Sequence, residues 1–493
     1  MILLWLIAIL MFAGVLAALA GRLHAAAPRV ISLTALALDL GVCLWLWARR
    51  VPEVRWSEEL AWTWVPQFGV RFHLALDGLG LALILLTLFL GMVAVLASWH
   101  GIQRSPGFFH LNVMWVLAGV TGVFLAVDLF LFYFFWELML VPMYFLIAIW
   151  GYQRRIYAAV KFFLFTQISS LLMLVAIIAL VILHQRATGV YSFDYQTLVG
   201  TPLAPGMEML LALGFLAAFA VKLPAFPFHT WLPDAHAEAP TAGSVILAGL
   251  LLKTGAFGLL RFVIPLFPFA VQRLAPLMMT LAVAGILYGA MLAFAQNDLK
   301  RMVAYTSVSH MGFVLLGIFA LNPIARQGVV IQMVSHGIST GALFVLAGAL
   351  NERLHSRELR AMGGLWETMP VLSGVGLFFV MASAGIPGLG DFVGEFLVLL
   401  GTYRVTPVLT ALAAVGMITA ACYALRLAQK TFLGPNVHRA KFPDARWNEW
   451  AVAAPMMLCL LWIGLYPQPV LDLVRPANDL SQPAIALARG GQR

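Results

Sequence analysis

About fourteen stretches of this chain are apolar for roughly 20 residues at a time, and nothing else in the sequence limits its folding so strongly. They run 1–20, 30–48, 75–98, 111–127, 129–150, 157–184 and 207–223, then 240–263, 274–295, 301–321, 326–350, 369–402, 407–432 and 450–470. A 20-residue helix is about as long as a bilayer's hydrocarbon core is thick. Only 10% of the 493 residues are charged and 62% are hydrophobic, whereas soluble domains carry about 25% charged residues. Folding in water is excluded. The expected fold is an all-α polytopic membrane protein of about fourteen transmembrane helices.

The net charge of +9 is no nucleic-acid footprint, because the basic residues are scattered through short loops. With the N-terminus outside the cytoplasm, just over half of the 30 cations fall in inner loops. Among these are Arg154, Arg155, Lys161, Lys300, Arg301, Arg353, Arg357, Arg360, Arg439, Lys441 and Arg446. That bias places both termini on the periplasmic side of a bacterial inner membrane. Met1 to Ala20 has no basic residue ahead of its apolar run, so it reads as a retained span rather than a cleaved signal. Cys43, Cys422 and Cys459 are far apart, which leaves no Cys-based metal or haem spacing.

Two spans are interrupted. KLPAFPFHTWLPDAHAEAP, starting at Lys222, has prolines at 224, 227, 233 and 240, and SAGIPGLGDFVGE covers 383–395. Proline and glycine break a helix ladder. At membrane depth such breaks are tolerated only where buried or facing a wet cavity, and paired breaks point to an ion or substrate site. Glu137, Lys222 and Lys253 each recur as a polar residue 173 positions later, at His310, Glu395 and Arg426. A unit of that length holds five helices, so its second copy would insert upside down.

An ionisable residue in mid-span costs about 2.5–3.5 kcal/mol even on lenient insertion scales. Glu137, Lys222, Lys253 and Glu395 bear that cost. The chain has 24 arginines and six lysines, yet both mid-span cations are lysines. A fixed counter-ion could be arginine, but a group that must release a proton could not. Asp391 precedes Glu395 by one turn and either shares its face or caps the resumed helix. His310 and His336, in apolar spans, suit a proton relay or a satisfied interior. His229 and His236 either shuttle protons or bond loose carbonyls in the proline-rich break.

WELMLVPMYFLIAIWG around Glu137, KLPAFPFHTWLPDAHAEAPTAGSVILAGLLLKTGAFGLLR and NDLKRMVAYTSVSHMGF resemble the antiporter-like subunits of respiratory complex I, the proton-translocating chains of NADH:quinone oxidoreductase. The resemblance spans nearly the whole chain. It implies peripheral helices in 1–100, inverted five-helix repeats in 108–265 and 272–432, broken seventh and twelfth helices, and a last helix with a tail in 433–493. It implies a proton path through Glu137, Lys222, Lys253 and Glu395, with Glu137 tuning Lys222. A helix-twelve glutamate, as here, resembles the family's M-type branch, where other branches have lysine. The resemblance further implies neighbouring membrane-arm subunits, including other antiporter-like chains, and membrane lipid as partners. It implies no cofactor in this chain, with NADH, FMN, iron–sulfur clusters and quinone on other subunits. A sodium/proton antiporter subunit or a membrane-bound hydrogenase subunit is the alternative.

Overall fold

The structure is a computed structural model that describes residues 1–479 apart from 25, 52–53 and 437–441, and of 475–479 the backbone alone. Arg439, Lys441 and the end of the C-terminal tail lie outside the described residues. Thirteen helices among the described residues are long and apolar enough to cross a membrane. A fourteenth crossing segment is divided into Pro370–Ser383 and Gly390–Tyr403. The expected boundaries hold to within about six residues, the largest miss being the helix that starts at Pro268 rather than 274, and Arg155–Thr188 and Pro323–Leu354 run well past the hydrocarbon core.

Burial sorts the spans into layers. Thr241–Leu266 and Leu299–Phe319 are 94% buried over their apolar windows, so they form the centre with Pro323–Leu354. Ala27–Arg49 and Pro407–Thr431 are only 33% buried, leaving most of their apolar surface to lipid or neighbouring chains. Residues lining the central spans are therefore held by protein on all sides.

Both proline- and glycine-rich segments interrupt helices. Pro205–Lys222 ends, residues 223–230 are irregular, and a short helix Trp231–Glu238 precedes Pro240. The freed backbone groups find partners. The Trp231 indole donates to Val221 O at 2.9 Å, and Lys300 Nζ donates to Ala239 O at 2.7 Å and to Ser244 Oγ at 3.2 Å. Arg357 donates to Ala237 O. Lys300 therefore does not stand in a loop, as its place in the charge pattern implied. It is the second residue of Leu299–Phe319, its side chain is fully buried, and it neutralises the carbonyl end of the short helix. In the second break Gly385 and Gly388 take φ of +73° and +95°, the left-handed region open to glycine without strain. Asp391 does not cap the resumed helix. It lies just inside it and is buried.

One element is not helical. Glu58–Val65 and Val70–Leu76 pair antiparallel through a turn closed by Gly69 at φ +68°. Trp62, Thr63, Trp64 and Val65 in the first segment and Val70 and Phe72 in the second suit a strand pair. His73 anchors it, with Nδ1 2.5 Å from Asp194 and Nε2 2.7 Å from Glu59. The opposite end of the bundle holds another set of ion pairs. Asp234 accepts from Lys161 at 2.7 Å and Arg301 at 2.9 Å, and Arg353 grips both oxygens of Glu449 at 2.6 and 2.8 Å.

Candidate proton path

Lys253 lies in the centre of Thr241–Leu266, between two π-helical turns, Leu247–Leu251 and Leu259–Val263. A π turn loosens the regular ladder and is frequent at functional sites. Here the Lys253 ammonium donates to Ala248 O at 2.5 Å and stands 2.7 Å from His336 Nδ1 on Pro323–Leu354. The His336 and His310 ring centroids are 5.5 Å apart. His310 Nδ1 in turn lies 2.6 Å from Glu395 Oε1, just beyond the second break. All four side chains are at most 2% exposed. Four helices thus bring a lysine, two histidines and a glutamate into one buried cluster. Asp391, also buried, is close enough to act electrostatically on both His310 and Lys253.

The first half of the row is built differently. Glu137 Oε1 accepts from Ser170 Oγ at 2.6 Å, and Glu137 acts on Lys222 through space. Lys222 is 1% exposed, and its Nζ has no hydrogen-bond partner among the described residues. It sits 5.1 Å from the Trp136 ring centroid and 5.7 Å from that of Phe162, so aromatic faces solvate the charge. An ammonium held this way is loosely committed. No direct hydrogen bond among the described residues links Lys222 to Lys253. His236 is wholly buried near Lys253 and Lys300, and its ring stacks on Phe344 at 4.6 Å. His229 stands apart, packed between Phe226 and Tyr288, and bonds to none of the path residues.

Three polar neighbours of the His310–Glu395 pair escaped sequence reasoning, as did Ser170 beside Glu137. Tyr423 OH lies 3.0 Å from His310 Nε2, Ser383 Oγ is 3.4 Å from the same nitrogen, and Gln332 Nε2 donates to Glu395 at 3.2 Å. Neutral polar residues are common in membrane helices, and only the fold aims these three at one imidazole–carboxylate pair.

Charge-bearing groups buried in central spans, two pairs of them in hydrogen-bond contact and Lys222 and Glu395 beside helix breaks, mark an ion-translocating membrane protein. Residues 126–420 match the family described as "NADH:quinone oxidoreductase/Mrp antiporter, TM". NADH-quinone oxidoreductase subunit M of Pseudomonas aeruginosa is 52% identical over 487 residues, covering 96% of each chain, and that of Escherichia coli is 50% identical with 96% coverage of both. A chain of respiratory complex I from Thermus thermophilus superposes with a TM-score of 0.89 at 32% identity, with 99% of each chain covered. The chain belongs to the antiporter-like membrane subunits of NADH:quinone oxidoreductase, in the subunit M branch.

Proposed function

We propose that this chain moves protons across the bacterial inner membrane as a membrane-arm subunit of NADH:quinone oxidoreductase, through Glu137, Lys222, Lys253, His336, His310 and Glu395. The observation that carries the path is the pair of contacts Lys253–His336 and His310–Glu395, set side by side at the centre of the bundle with the two imidazoles 5.5 Å apart. His336 Nδ1, as an acceptor, takes a proton from the Lys253 ammonium 2.7 Å away. No hydrogen bond among the described residues joins the two imidazoles, so the next transfer needs a ring rotation or a bridging water. A charge on His336 then opposes a second charge on His310, because like charges in a low dielectric disfavour each other. That repulsion drives the His310 proton onto Glu395, with Tyr423 and Ser383 holding the other ring nitrogen.

In the first half, Glu137 attracts the Lys222 charge while the aromatic cage replaces water around it. Drawing that charge towards Glu137 lowers the repulsion felt at Lys253. His236 and Asp391 act as electrostatic neighbours of the central cluster. Energy arrives from other subunits as shifted charge, and NADH, FMN, iron–sulfur clusters and quinone are held by those subunits.

The halves 108–265 and 272–432 act as inverted repeats, with Glu137 beside Lys222 in one and His310 beside Glu395 in the other. Both termini face the periplasm, which puts the cation-rich end around Lys161, Lys300, Arg301, Arg353 and Arg357 in the cytoplasm. The deciding experiment is proton pumping by assembled complexes carrying His336→Gln or His336→Ala. Loss of pumping with assembly intact is expected, and normal pumping by both would remove the central link.

A further inference from the structure

Lys253 belongs to a seven-residue α-helical block, Leu252–Gly258, bounded by the π turns Leu247–Leu251 and Leu259–Val263. At the first turn Leu252 N–H donates to Leu247 O, five residues back, where a regular α ladder would pair it with Ala248 O. A buried carbonyl freed by such a shift needs another donor. Lys253 Nζ, 2.5 Å from Ala248 O, supplies it. The second turn repeats the five-residue step, with Ile264 N–H on Leu259 O. Towards either end the helix is pinned. Lys300 Nζ holds Ser244 Oγ at 3.2 Å on one side, and Arg261 pairs with Asp77 at 2.5 Å on the other. Lys253 is the one ionisable residue in the block. The groups that act on its charge, His336, His310, His236 and Asp391, belong to four other helices. Gly255, two residues on and so on the far side of the helix, faces the first half of the row. A Cβ there would lie 2.8 Å from Leu223 N and from Phe219 O, in the backbone beside Lys222.

We propose that the Lys253 ammonium holds the first π turn open, and that this turn is a register switch set by the charge on Lys253. The proposal rests on Lys253 giving up its proton in the path above. When that proton passes from Nζ to His336 Nδ1, a neutral amine and an imidazolium remain, and the amine binds Ala248 O more weakly than the ammonium did. Leu252 N–H then returns to Ala248 O, and the first turn becomes α-helical. The block turns between its pinned ends, and the second π turn absorbs the change. Lys253 swings off His336, so the proton does not fall back, while Gly255 moves against the backbone beside Lys222. The two lysines, which no hydrogen bond joins among the described residues, are coupled in this way through the helix itself.

Electron cryomicroscopy of the complete complex, at a resolution that places carbonyl oxygens, tests this with Lys253→Met and Lys253→Arg. Met keeps the length of the side chain without its charge or donors. It should move Leu252 N–H from Leu247 O to Ala248 O, a shift of one residue in register. Arg keeps a permanent charge and its donors, and should retain the π turn. A Met variant that keeps the turn overturns the proposal, and so does an Arg variant that loses it. Lys253→Leu gives the same reading where the Met variant does not assemble. The readout is register, not pumping. A fully active Lys253→Arg complex would remove Lys253 as a proton carrier and leave the charge-held turn standing. An unchanged register in the Met variant would leave the Lys253–His336 contact and the path standing.

Discussion

At the residue scale the proposed path turns on the choice of lysine at 253. Its ammonium is shared between a backbone carbonyl and an imidazole nitrogen, so its proton has a ready acceptor 2.7 Å away. Lys253→Arg keeps the charge but does not release a proton, and should be nearly as damaging as Lys253→Ala when turnover of assembled complexes is measured. Full activity of the Arg variant alone would reduce Lys253 to a fixed charge. Glu395 gives a second comparison. Asp keeps its chemistry at shorter reach, Gln keeps hydrogen bonding to His310 without ionising, and Lys reverses the charge beside Lys253. Pumping should be near normal for Glu395→Asp, partial for Glu395→Lys and lost by about tenfold or more for Glu395→Gln. Equal pumping by the Asp and Gln variants would leave Glu395 a structural residue. The ionisable residues of the proposed path were legible as candidates because each stands in an apolar run. Tyr423, Gln332 and Ser170 were not, since a hydroxyl or amide in a span gives no signal until a fold aims it.

At the scale of elements, the breaks and the hairpin follow separate rules. Proline stops the helix at Lys222, but what keeps the broken segment in place comes from distant parts of the chain, namely Lys161, Lys300 and Arg301 on other helices and Arg357 in a loop. Asp234→Asn leaves two half-buried cations poorly partnered and should cost about 1–3 kcal/mol, read as a lower unfolding midpoint of the assembled complex. The hairpin should respond to pH. Burial works against the charged form of His73, yet Asp194 and Glu59 together hold its pKa above the ordinary histidine value. Burial likewise opposes ionisation of Asp194, but the His73 contact holds its pKa below the usual carboxylate range. The histidine's contribution is complete below its unfolded pKa of about 6.5 and disappears as pH rises through the higher folded value. The aspartate's contribution is lost at the acid end, as pH falls through its lowered value. Amide exchange in residues 58–76, corrected for its intrinsic pH dependence, should therefore accelerate as pH rises above neutrality, and His73→Gln should remove that response. An unchanged profile in the variant would exclude the His73 anchor.

The whole molecule has two unlike ends. The hairpin meets the loop before Tyr195 at one end, and the cation-rich ion pairs gather at the other. If the hairpin end is periplasmic, an impermeant maleimide added to intact spheroplasts should label a Gln67→Cys variant and label Arg360→Cys only after permeabilisation. The reverse pattern would invert the path. The number of crossings, the breaks and the identities of Glu137, Lys222, Lys253 and Glu395 were set by sequence alone, because hydrocarbon accepts nothing but long apolar helices and makes every stray charge conspicuous. Which of those charges touch was decided only by tertiary structure. Lys253 and His336 are 83 residues apart and His310 and Glu395 are 85, distances that no periodicity along one helix can relate. The burial of Lys300 was decided the same way, since a lysine at a span's end looks like a loop cation until another helix's unsatisfied carbonyls pack over it.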